Sequence, residues 1–376
     1  MLLVVNAGSS SIKLAVFDGL VEVMLGRVSD IGPAARLQLG HVDSLAALTD
    51  HAAALDALFA TMAGQGFSAA QLTAAAHRVV HGGADLVQAC RITPARLAQI
   101  VACVPLAPLH NPANLTAILA MQQRHPEMPQ YACFDTAFHA TNPAEAVSYA
   151  LPAADRALGL RRYGFHGLSY AGLVDRLRQR YQTLPKRLLA LHLGNGASLC
   201  AILDGVSVAT TMGYSPLDGL TMGTRAGAID GNAVLRLAQL HGIDGASRIL
   251  NHESGLLALG GSNDMRALHG AGTKAARFAV QHFCYWAVRH AGSMIAAMGG
   301  LDAVAFTGGI GENDAVVRAA ILQGLHWTGL AFDAAGNTAG RANLHLPHSA
   351  VAAYIVPATE ERQIAQQVNA LQAQGL

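Results

Sequence analysis

Three loops carry glycines together with amide, hydroxyl or ammonium groups that could hold phosphate oxygens. They read NAGSSSIK (6–13), LGNGAS (193–198) and TGGIGEN (307–313). The first offers backbone N–H groups, the hydroxyls of Ser9 and Ser11 and the ammonium of Lys13 to a small anion. One such loop alone would be equally typical of an ordinary polar turn. Three of them predict a bound nucleotide, although their spacing matches neither a P-loop nor a dinucleotide fingerprint.

Two histidines of the segment AAAHRVVHGG (74–83) raise the question of a zinc site. On a helix, His77 and His81 would lie on one face, as zinc ligands often do. The residues between them include two valines, and two glycines follow, which is typical of the end of a strand. Successive side chains of a strand alternate between its faces. The pattern therefore favours a strand end over a zinc site.

The elements that position the first two loops are predicted β-hairpins. Residues 2–5 and 12–18 are predicted strands around the loop 6–11, and Gly19 closes the second strand. The pattern returns 186 positions later without a gap. The residues Leu188, Leu189, Gly194, Ala201, Asp204 and Gly205 repeat Leu2, Leu3, Gly8, Ala15, Asp18 and Gly19. We therefore expect a duplicated domain.

Each half also contains a strand that ends in a glycine pair, at 74–83 and 303–313. The distances from the two hairpins differ, so the second half is expected to carry an insertion, for which 210–230 is the candidate. Helices are predicted at 93–103, with Thr93 as N-cap and Pro94 in the first turn, at 273–298 and at 360–372. Strands alternating with helices indicate an α/β protein that binds its ligands between the two halves.

Composition excludes several classes of protein. With 25 Lys and Arg against 24 Asp and Glu, the net charge is +1, so no overall field favours nucleic acid or an anionic membrane as a partner. Mean hydropathy is +0.31, yet no apolar run is long enough to span a bilayer. The five cysteines are far apart and no leader resembles a signal peptide, which suggests a cytoplasmic protein. A charged fraction of only 13% favours a homo-oligomer, with a dimer expected.

Nine motifs in order along the chain resemble the acetate and propionate kinase family, within the actin and sugar-kinase superfamily. They are VVNAGSSSIK (4–13), HRVVHGG (77–83), LAPLHNP (106–112), FDTAFH (134–139), RRYGFHG (161–167), HLGNGAS (192–198), PLDGLTMGTRAG (216–227), FTGGIGEN (306–313) and VPATEE (356–361). The resemblance implies an α/β fold of two duplicated actin-like (ribonuclease H-like) domains with a nucleotide cleft between them. We place the first domain at 1–148, completed by the helix 360–376, and the second at 149–359.

The resemblance implies Mg²⁺-dependent, reversible phosphoryl transfer between ATP and acetate, giving acetyl phosphate and ADP. The residues that it places at the reacting groups are Arg78, Asp135, His166 and Arg225. An arginine fork suits carboxylate and phosphate oxygens, and a histidine can donate to the phosphoryl group as charge spreads over it. Because acetate is already ionised at pH 7, no general base is needed. Direct in-line transfer is expected, while a phosphorylated Asp or Glu remains the alternative.

The resemblance also implies binding residues. Those for the acyl substrate are Arg78, Val80, Leu109, His110, Phe165 and Pro216. Those for the nucleotide are Ser9, Ser11, Lys13, His192, Gly194, Asn195, Gly196, Asn263, Asp264, Arg266, Gly308, Gly309, Ile310, Gly311 and Asn313. The metal-site carboxylates that the resemblance implies are Asp135 and Glu360, with Asn6 close by as a further ligand of Mg²⁺, for which Mn²⁺ could substitute. Glu361 is not separable from Glu360 by sequence. The small acyl pocket leaves propionate or butyrate kinase as the alternative enzyme.

The chain departs from the family pattern at several positions. Ala209 stands where the family usually has an aspartate, Ala228 replaces a carboxylate three positions after Arg225, and Tyr170 replaces a second histidine after GFHG. Further departures are Ala226, Gly231 and Thr359. The loss at Ala228 could loosen how Arg225 is held. A different class of function, an ATP-switched binding protein of the superfamily, would bind ATP without forming an acyl phosphate.

Overall fold

A computed structural model describes residues 1–376, which form two compact units. Unit 1 comprises Met1–Phe138 and Thr359–Leu376, and unit 2 comprises His139–Ala358. This division lies ten residues before the domain boundary expected from the sequence at 148/149. No helix is long and apolar enough to cross a membrane.

The strands are β1 (Leu2–Ala7), β2 (Ile12–Asp18), β3 (Val21–Ser29), β4 (Gly32–Leu39), β5 (Val42–Leu48), β6 (Ala74–Val79), β7 (Cys90–Arg91), β8 (Gln130–Phe134), β9 (Arg187–Leu193), β10 (Ala197–Leu203), β11 (Val206–Thr210), β12 (Ala303–Thr307) and β13 (Ala352–Ile355). The helices are α1 (His51–Gly64), α2 (Pro94–Ala102), α3 (Asn111–Arg124), α4 (Ala144–Val147), α5 (Ala153–Ala157), α6 (Gly167–Tyr181), α7 (Gly231–His252), α8 (Gly255–Gly260), α9 (Met265–Ala271), α10 (Lys274–Met298), α11 (Gly308–Asn313), α12 (Ala315–Gly324), α13 (Ala334–Thr338) and α14 (Glu360–Ala373).

Unit 1 is built on an eight-stranded sheet in the order β5-β4-β3-β2-β1-β6-β8-β7. The first predicted hairpin is confirmed, since β1 and β2 pair antiparallel around a loop at 8–11. Alternate residues of these strands, such as Leu3, Val5 and Leu14, are buried with the inner face of α1. The C-terminal helix α14 returns to pack on β1, β6 and β8. Unit 1 is thus closed by residues from both ends of the chain.

Unit 2 repeats the central part of this sheet. Its order is β11-β10-β9-β12-β13, with the same antiparallel and parallel pairings as β3-β2-β1-β6-β8. The shared topology confirms the predicted duplication. The strand pairing in the second hairpin is shifted by one residue relative to the first. Leu2 pairs with Phe17, whereas its counterpart Leu188 pairs with Ile202 instead of Leu203. The physical reason is the loop 194–196, which has one residue fewer than the loop 8–11.

The insertion in unit 2 is larger than predicted. Between β11 and β12 lie the irregular segment 211–230 and the four helices α7 to α10. Of these, α10 confirms the helix predicted at 273–298, with Thr273 as its N-cap. The helices predicted at 93–103 and 360–372 are confirmed as α2, which Thr93 caps, and α14. Unit 1 has an addition of its own that the sequence did not predict, the hairpin of β4 and β5.

Candidate active site

In unit 1, four of the predicted residues meet around one guanidinium. Nε and Nη2 of Arg78 donate to the two carboxylate oxygens of Asp135 at 2.5–3.2 Å, and Nη1 donates to Oδ1 of Asn6 at 3.2 Å. An oxygen of Glu360 lies 3.9 Å from Nε. The Arg78 side chain is 20% exposed and that of Asp135 only 2%. The cluster therefore combines one fixed cation with three hard oxygen donors.

The charges of this cluster stabilise one another against burial. Burial lowers the pKa of the Arg78 guanidinium, but the charges of Asp135, Glu360 and Glu361 outweigh burial and raise that pKa above its ordinary value. Burial raises the pKa of the Asp135 carboxyl, which Arg78 opposes through its charge and hydrogen bonds. Arg78 is permanently charged, and its bidentate contact suits an ionised acceptor. We therefore describe Arg78 and Asp135 as an ion pair.

Two asparagines of α3 hold the segment that follows Arg78. Asn114 Oδ1 accepts from the Val80 N–H at 3.0 Å, and Asn111 pairs with both the N–H and the C=O of His81. Asn114 also donates to the Ala7 carbonyl at 2.6 Å, which ties the same helix to the end of β1. Both side chains are buried. Sequence reasoning missed both asparagines. The signal that could have found them is their position, since Asn111 lies in the LAPLHNP motif and Asn114 follows it closely.

The other unit 1 predictions lie on nearby elements. His110 is the N-cap residue of α3, preceded by an exposed Leu109. In the loop 8–11, the Gly8 N–H donates to the Ser11 carbonyl, and Lys13 is exposed on β2.

The two histidines considered for zinc have separate partners. His77 on β6 contacts Gln130 Oε1 at 2.8 Å through Nε2, whereas His81 Nδ1 accepts from the Gly83 N–H. The segment is a strand end, as predicted.

In unit 2, two predicted histidines are stacked beside a glycine loop. The rings of His166 and His192 are 4.0 Å apart and nearly parallel, and the Nδ1 atom of each contacts a serine hydroxyl at 2.9 Å. A Cβ atom added to Gly196 would lie 3.2 Å from His166 Nε2 and 3.8 Å from Arg225 Nη1. The structure thus gathers Gly196, His166 and Arg225 at one place. His166 has a left-handed backbone (φ 58°), a conformation often associated with functional sites.

The loop that carries Arg225 is fixed mainly through its backbone. The Met222 N–H donates to the Arg225 carbonyl and the Gly223 N–H to the Asn195 carbonyl, while the Ala228 N–H donates to Gly219. Arg225 Nη1 in turn donates to the Pro216 carbonyl at 3.3 Å. Ala228 therefore contributes a backbone bond to this loop although its position lacks the family's carboxylate.

A cavity of about 890 Å³ opens beside these loops within unit 2. Eight residues predicted to bind nucleotide line it: Gly194, Asn195, Asn263, Asp264, Arg266, Gly309, Ile310 and Asn313. Asp264 caps α9 and accepts from Arg266, and Asn313 donates to the Gly309 carbonyl. Sequence reasoning missed five further lining residues, Met265, His269, Asp314, Ala315 and Val316. His269 contacts Asp314 at 2.8 Å across elements far apart in sequence, which no local motif reveals.

The remaining predictions divide between the two units. Gly308 opens α11 after β12 with a positive φ of 80°, and its N–H donates to Glu312. Of the acyl-pocket residues, Val80 and Leu109 belong to unit 1, whereas the buried Phe165 and the half-buried Pro216 belong to unit 2. The predicted catalytic residues divide in the same way, with Arg78 and Asp135 in unit 1 and His166 and Arg225 in unit 2.

Comparisons with known proteins agree with these motifs. The model of the acetokinase family matches residues 1–366. Acetate kinases of Methylocella silvestris and Rhizobium meliloti are 40% and 41% identical, covering 97% and 98% of this chain and 96% and 98% of their own. The crystal structure of Porphyromonas gingivalis acetate kinase superposes with a TM-score of 0.91 at 33% identity, covering 99% of both chains. A propionate kinase from Francisella tularensis gives 0.92 at 33% identity, covering 97% of this chain and 98% of its own. The chain therefore belongs to the acetokinase family.

Proposed function

We propose that this protein is an acetate kinase, which transfers the γ-phosphoryl group of ATP to acetate and runs the reaction in both directions. The observation that carries the proposal is the cavity of unit 2, which is of nucleotide size and lined by residues of two family motifs, HLGNGAS and FTGGIGEN. A membership that spans nearly the whole chain supports the same activity. The products are acetyl phosphate and ADP.

The reaction brings together two anions, so its main requirement is positive charge in a fixed position. Arg78 supplies this charge toward the acyl substrate, because Asp135 and Asn6 hold its guanidinium while it keeps 20% exposure. Arg225 plays the matching part beside Gly196 in unit 2. Neutralising the repulsion between acetate and the γ-phosphate, and aligning them, accounts for most of the catalysis.

Transfer proceeds directly from ATP to acetate. A covalent route through Asp135 would need one of its oxygens to be available to attack phosphorus, but both already accept from Arg78. His166 donates a hydrogen bond to the phosphoryl group as negative charge spreads over its oxygens. Acetate needs no general base, since it is ionised at neutral pH.

The residues that the family motifs assign to the acyl substrate are Val80, Leu109, Phe165 and Pro216, with His110 as a polar contact. Side chains of this size suit a methyl group. One additional methylene changes the preference of such a pocket by only about 1–3 kcal/mol. We therefore expect acetate to react fastest and propionate to react measurably.

The oxygen donors of unit 1 fit a magnesium ion that is bound mostly by nucleotide phosphates and water. Mg²⁺ commonly takes only one or two carboxylates from a protein. Asn6 and Glu360 would hold it, because both oxygens of Asp135 accept from Arg78 at Nε and Nη2, whereas Asn6 Oδ1 accepts only one hydrogen bond from Nη1. When bound, the ion would neutralise phosphate charge, and Mn²⁺ would serve in its place.

Acyl phosphate formation tests the proposed function. Purified protein is incubated with MgATP and acetate, propionate or butyrate, and the product is trapped with hydroxylamine as the hydroxamate. We expect product from acetate, less from propionate and least from butyrate. Binding of ATP without hydroxamate from any acid would instead identify an ATP-switched binding protein.

We further propose that the protein is a cytoplasmic homodimer. The α7 segment, whose backbone is non-helical at Gly242, supports the dimer, because Leu235, Leu240 and Ile243 on it are exposed and only Ala246 and Leu250 of its 22 residues are buried. A second copy of the chain would cover this apolar surface. The five free cysteines fit a reducing compartment.

A further inference from the structure

Tyr170 is the departure from the family pattern that the structure connects most closely to the proposed chemistry. Its side chain on α6 is fully buried, and its phenol oxygen lies 2.5 Å from the hydroxyl oxygen of Ser198. Ser198 on β10 is also fully buried, and the same hydroxyl lies 2.9 Å from Nδ1 of His166. A continuous chain of hydrogen bonds therefore runs from Tyr170 through Ser198 to the histidine.

We propose that Tyr170 and Ser198 are positioning residues that set the tautomer of His166, leaving its proton on Nε2. This inference rests on the proposed role of His166 in phosphoryl transfer. Neither residue is assigned a contact with substrate, so both act through the imidazole ring.

The direction of the chain follows from counting donors. Burial raises the pKa of the Tyr170 phenol well above its ordinary value, so the phenol keeps its proton and can donate it. The acceptor is the Ser198 oxygen at 2.5 Å. A serine has a single hydroxyl proton, which then points to Nδ1 of His166. A neutral imidazole that accepts at Nδ1 carries its proton on Nε2.

The location of Nε2 makes this tautomer useful. A Cβ atom at Gly196 would lie only 3.2 Å from Nε2, so glycine leaves room there, and the same position is 3.8 Å from Nη1 of Arg225. An N–H at Nε2 donates into the space shared with Arg225. The opposite tautomer would present a lone pair to an anionic phosphoryl group and repel it.

Tyr170→Phe removes the terminal donor and preserves the shape of the ring. We expect kcat to fall about tenfold, the usual effect of losing one hydrogen bond of this kind, with KM for ATP and acetate unchanged. Tyr170→His restores a donor and should recover most of kcat. Tyr131→Phe is the matched control, since Tyr131 is another buried tyrosine and donates to the Leu376 carbonyl instead; its kcat should stay at the wild-type value.

A double-mutant cycle separates positioning from simple packing. If Tyr170 acts through His166, then Tyr170→Phe should have no further effect on kcat in a His166→Ala background. An equal tenfold loss in both backgrounds would overturn the proposal. Both effects on kcat are measured relative to acyl phosphate formation by the wild type. If the proposed function were wrong, the wild type itself would form no acyl phosphate, and this result is distinct from a failure of the positioning proposal.

The tautomer itself can be measured without any catalysis. In protein with ¹⁵N-labelled histidine rings, the His166 signals are assigned by their absence in His166→Asn. We expect a protonated Nε2 and an unprotonated Nδ1 in the wild type, and a mixture of tautomers in Tyr170→Phe. A wild-type His166 protonated at Nδ1 alone would contradict the proposal, even if Tyr170→Phe failed to fold.

Discussion

Arg78 is the single residue on which the proposed chemistry of unit 1 depends most. Its guanidinium is held on one edge by both oxygens of Asp135 and at Nη1 by Asn6. These contacts remove the rotational freedom of a long side chain before substrate arrives. Lysine carries the same charge but lacks the planar fork that this geometry uses.

Arg78→Lys is therefore expected to lower kcat/KM for acetate by roughly 10²–10³, the range found when one positioned donor is removed. Loss of the fork leaves the buried Asp135 carboxylate poorly paired, so a decrease in stability should accompany it. Steady-state kinetics and thermal unfolding measure both effects.

The matched control is Arg36→Lys. Arg36 forms a similar fork to Asp43 in the same unit, but both side chains are about half exposed. Exposed pairs contribute little, so activity and stability should stay close to wild type. If Arg36→Lys lowered kcat/KM as much as Arg78→Lys, a special role for Arg78 would be wrong.

Sequence motifs located Arg78, Asp135 and Asn6 because each stands in a compact pattern at the end of a strand. They did not reveal Asn111 and Asn114, whose function depends on which backbone groups lie opposite them. The contact between His269 and Asp314 spans 45 residues and depends on the packing of α9 near α12. Such long-range pairings follow from tertiary structure, for which a single sequence offers no local signal.

Among the elements, the loop 219–227 shows how backbone conformation positions a side chain. Gly227 has a φ of +75°, and a Cβ atom there would lie 2.5 Å from the Leu220 carbonyl oxygen. No other residue type fits both the conformation and the space. Arg225 lies two residues away and depends on the same turn.

Gly227→Ala should displace this turn. A left-handed backbone costs a non-glycine residue about 1–2 kcal/mol, and the close contact adds to this cost. We expect a fall of tenfold or more in kcat and a lower Tm, measured by coupled assay and calorimetry.

Gly231→Ala is the control for this loop substitution. Gly231 begins α7, and a Cβ atom there meets nothing within 4 Å. Because alanine favours a helix more than glycine does, stability should be unchanged or higher. Full activity in Gly227→Ala would contradict the role assigned to the turn.

The predicted hairpins and capped helices were confirmed because their signals are local: alternating apolar residues, an Asp-Gly turn, or Thr-Pro at a helix start. Three features escaped prediction. The hairpin β4–β5 has weak alternation, the insertion extends through α10, and the repeat changes register at the shorter loop 194–196. Each depends on how a whole sheet is assembled.

For the whole molecule, buried histidines in both units predict how stability depends on pH. Burial lowers the pKa of His77 in unit 1 and of His139 in unit 2 from 6.5 to about 4. In the unfolded chain both rings take up protons as the pH falls below 6.5, whereas in the folded chain they resist protonation. The free energy of unfolding should therefore be greatest above pH 6.5 and decrease between pH 6.5 and 4.

Each histidine accounts for roughly 3 kcal/mol of this decrease at its limit. Urea unfolding at a series of pH values measures how the free energy of unfolding changes with pH. His77→Gln should reduce this slope by the equivalent of about one proton taken up on unfolding. His348→Gln, at an exposed position, should leave the slope unchanged. A His77→Gln profile that matched the wild type would show that His77 is not the titrating group.

If the protein is a dimer through α7, its mass in solution should change when an exposed apolar residue of α7 is replaced by a charged one. Leu240→Asp places a charge on the exposed apolar surface and should shift the protein from dimer to monomer in analytical ultracentrifugation. Leu45→Asp, at an even more exposed leucine of unit 1, should leave the dimer intact. A wild-type protein that sediments as a monomer at micromolar concentration would contradict the dimer.

The central claim is that a carboxylate oxygen of acetate attacks the γ-phosphorus of ATP. Phosphorus NMR of the wild-type protein with MgATP and ¹⁸O-labelled acetate tests it most directly. We predict an acetyl phosphate signal with the isotope shift of one ¹⁸O bonded to phosphorus, together with an equal amount of ADP. Consumption of ATP to inorganic phosphate alone, or bound ATP that never reacts, would contradict the account.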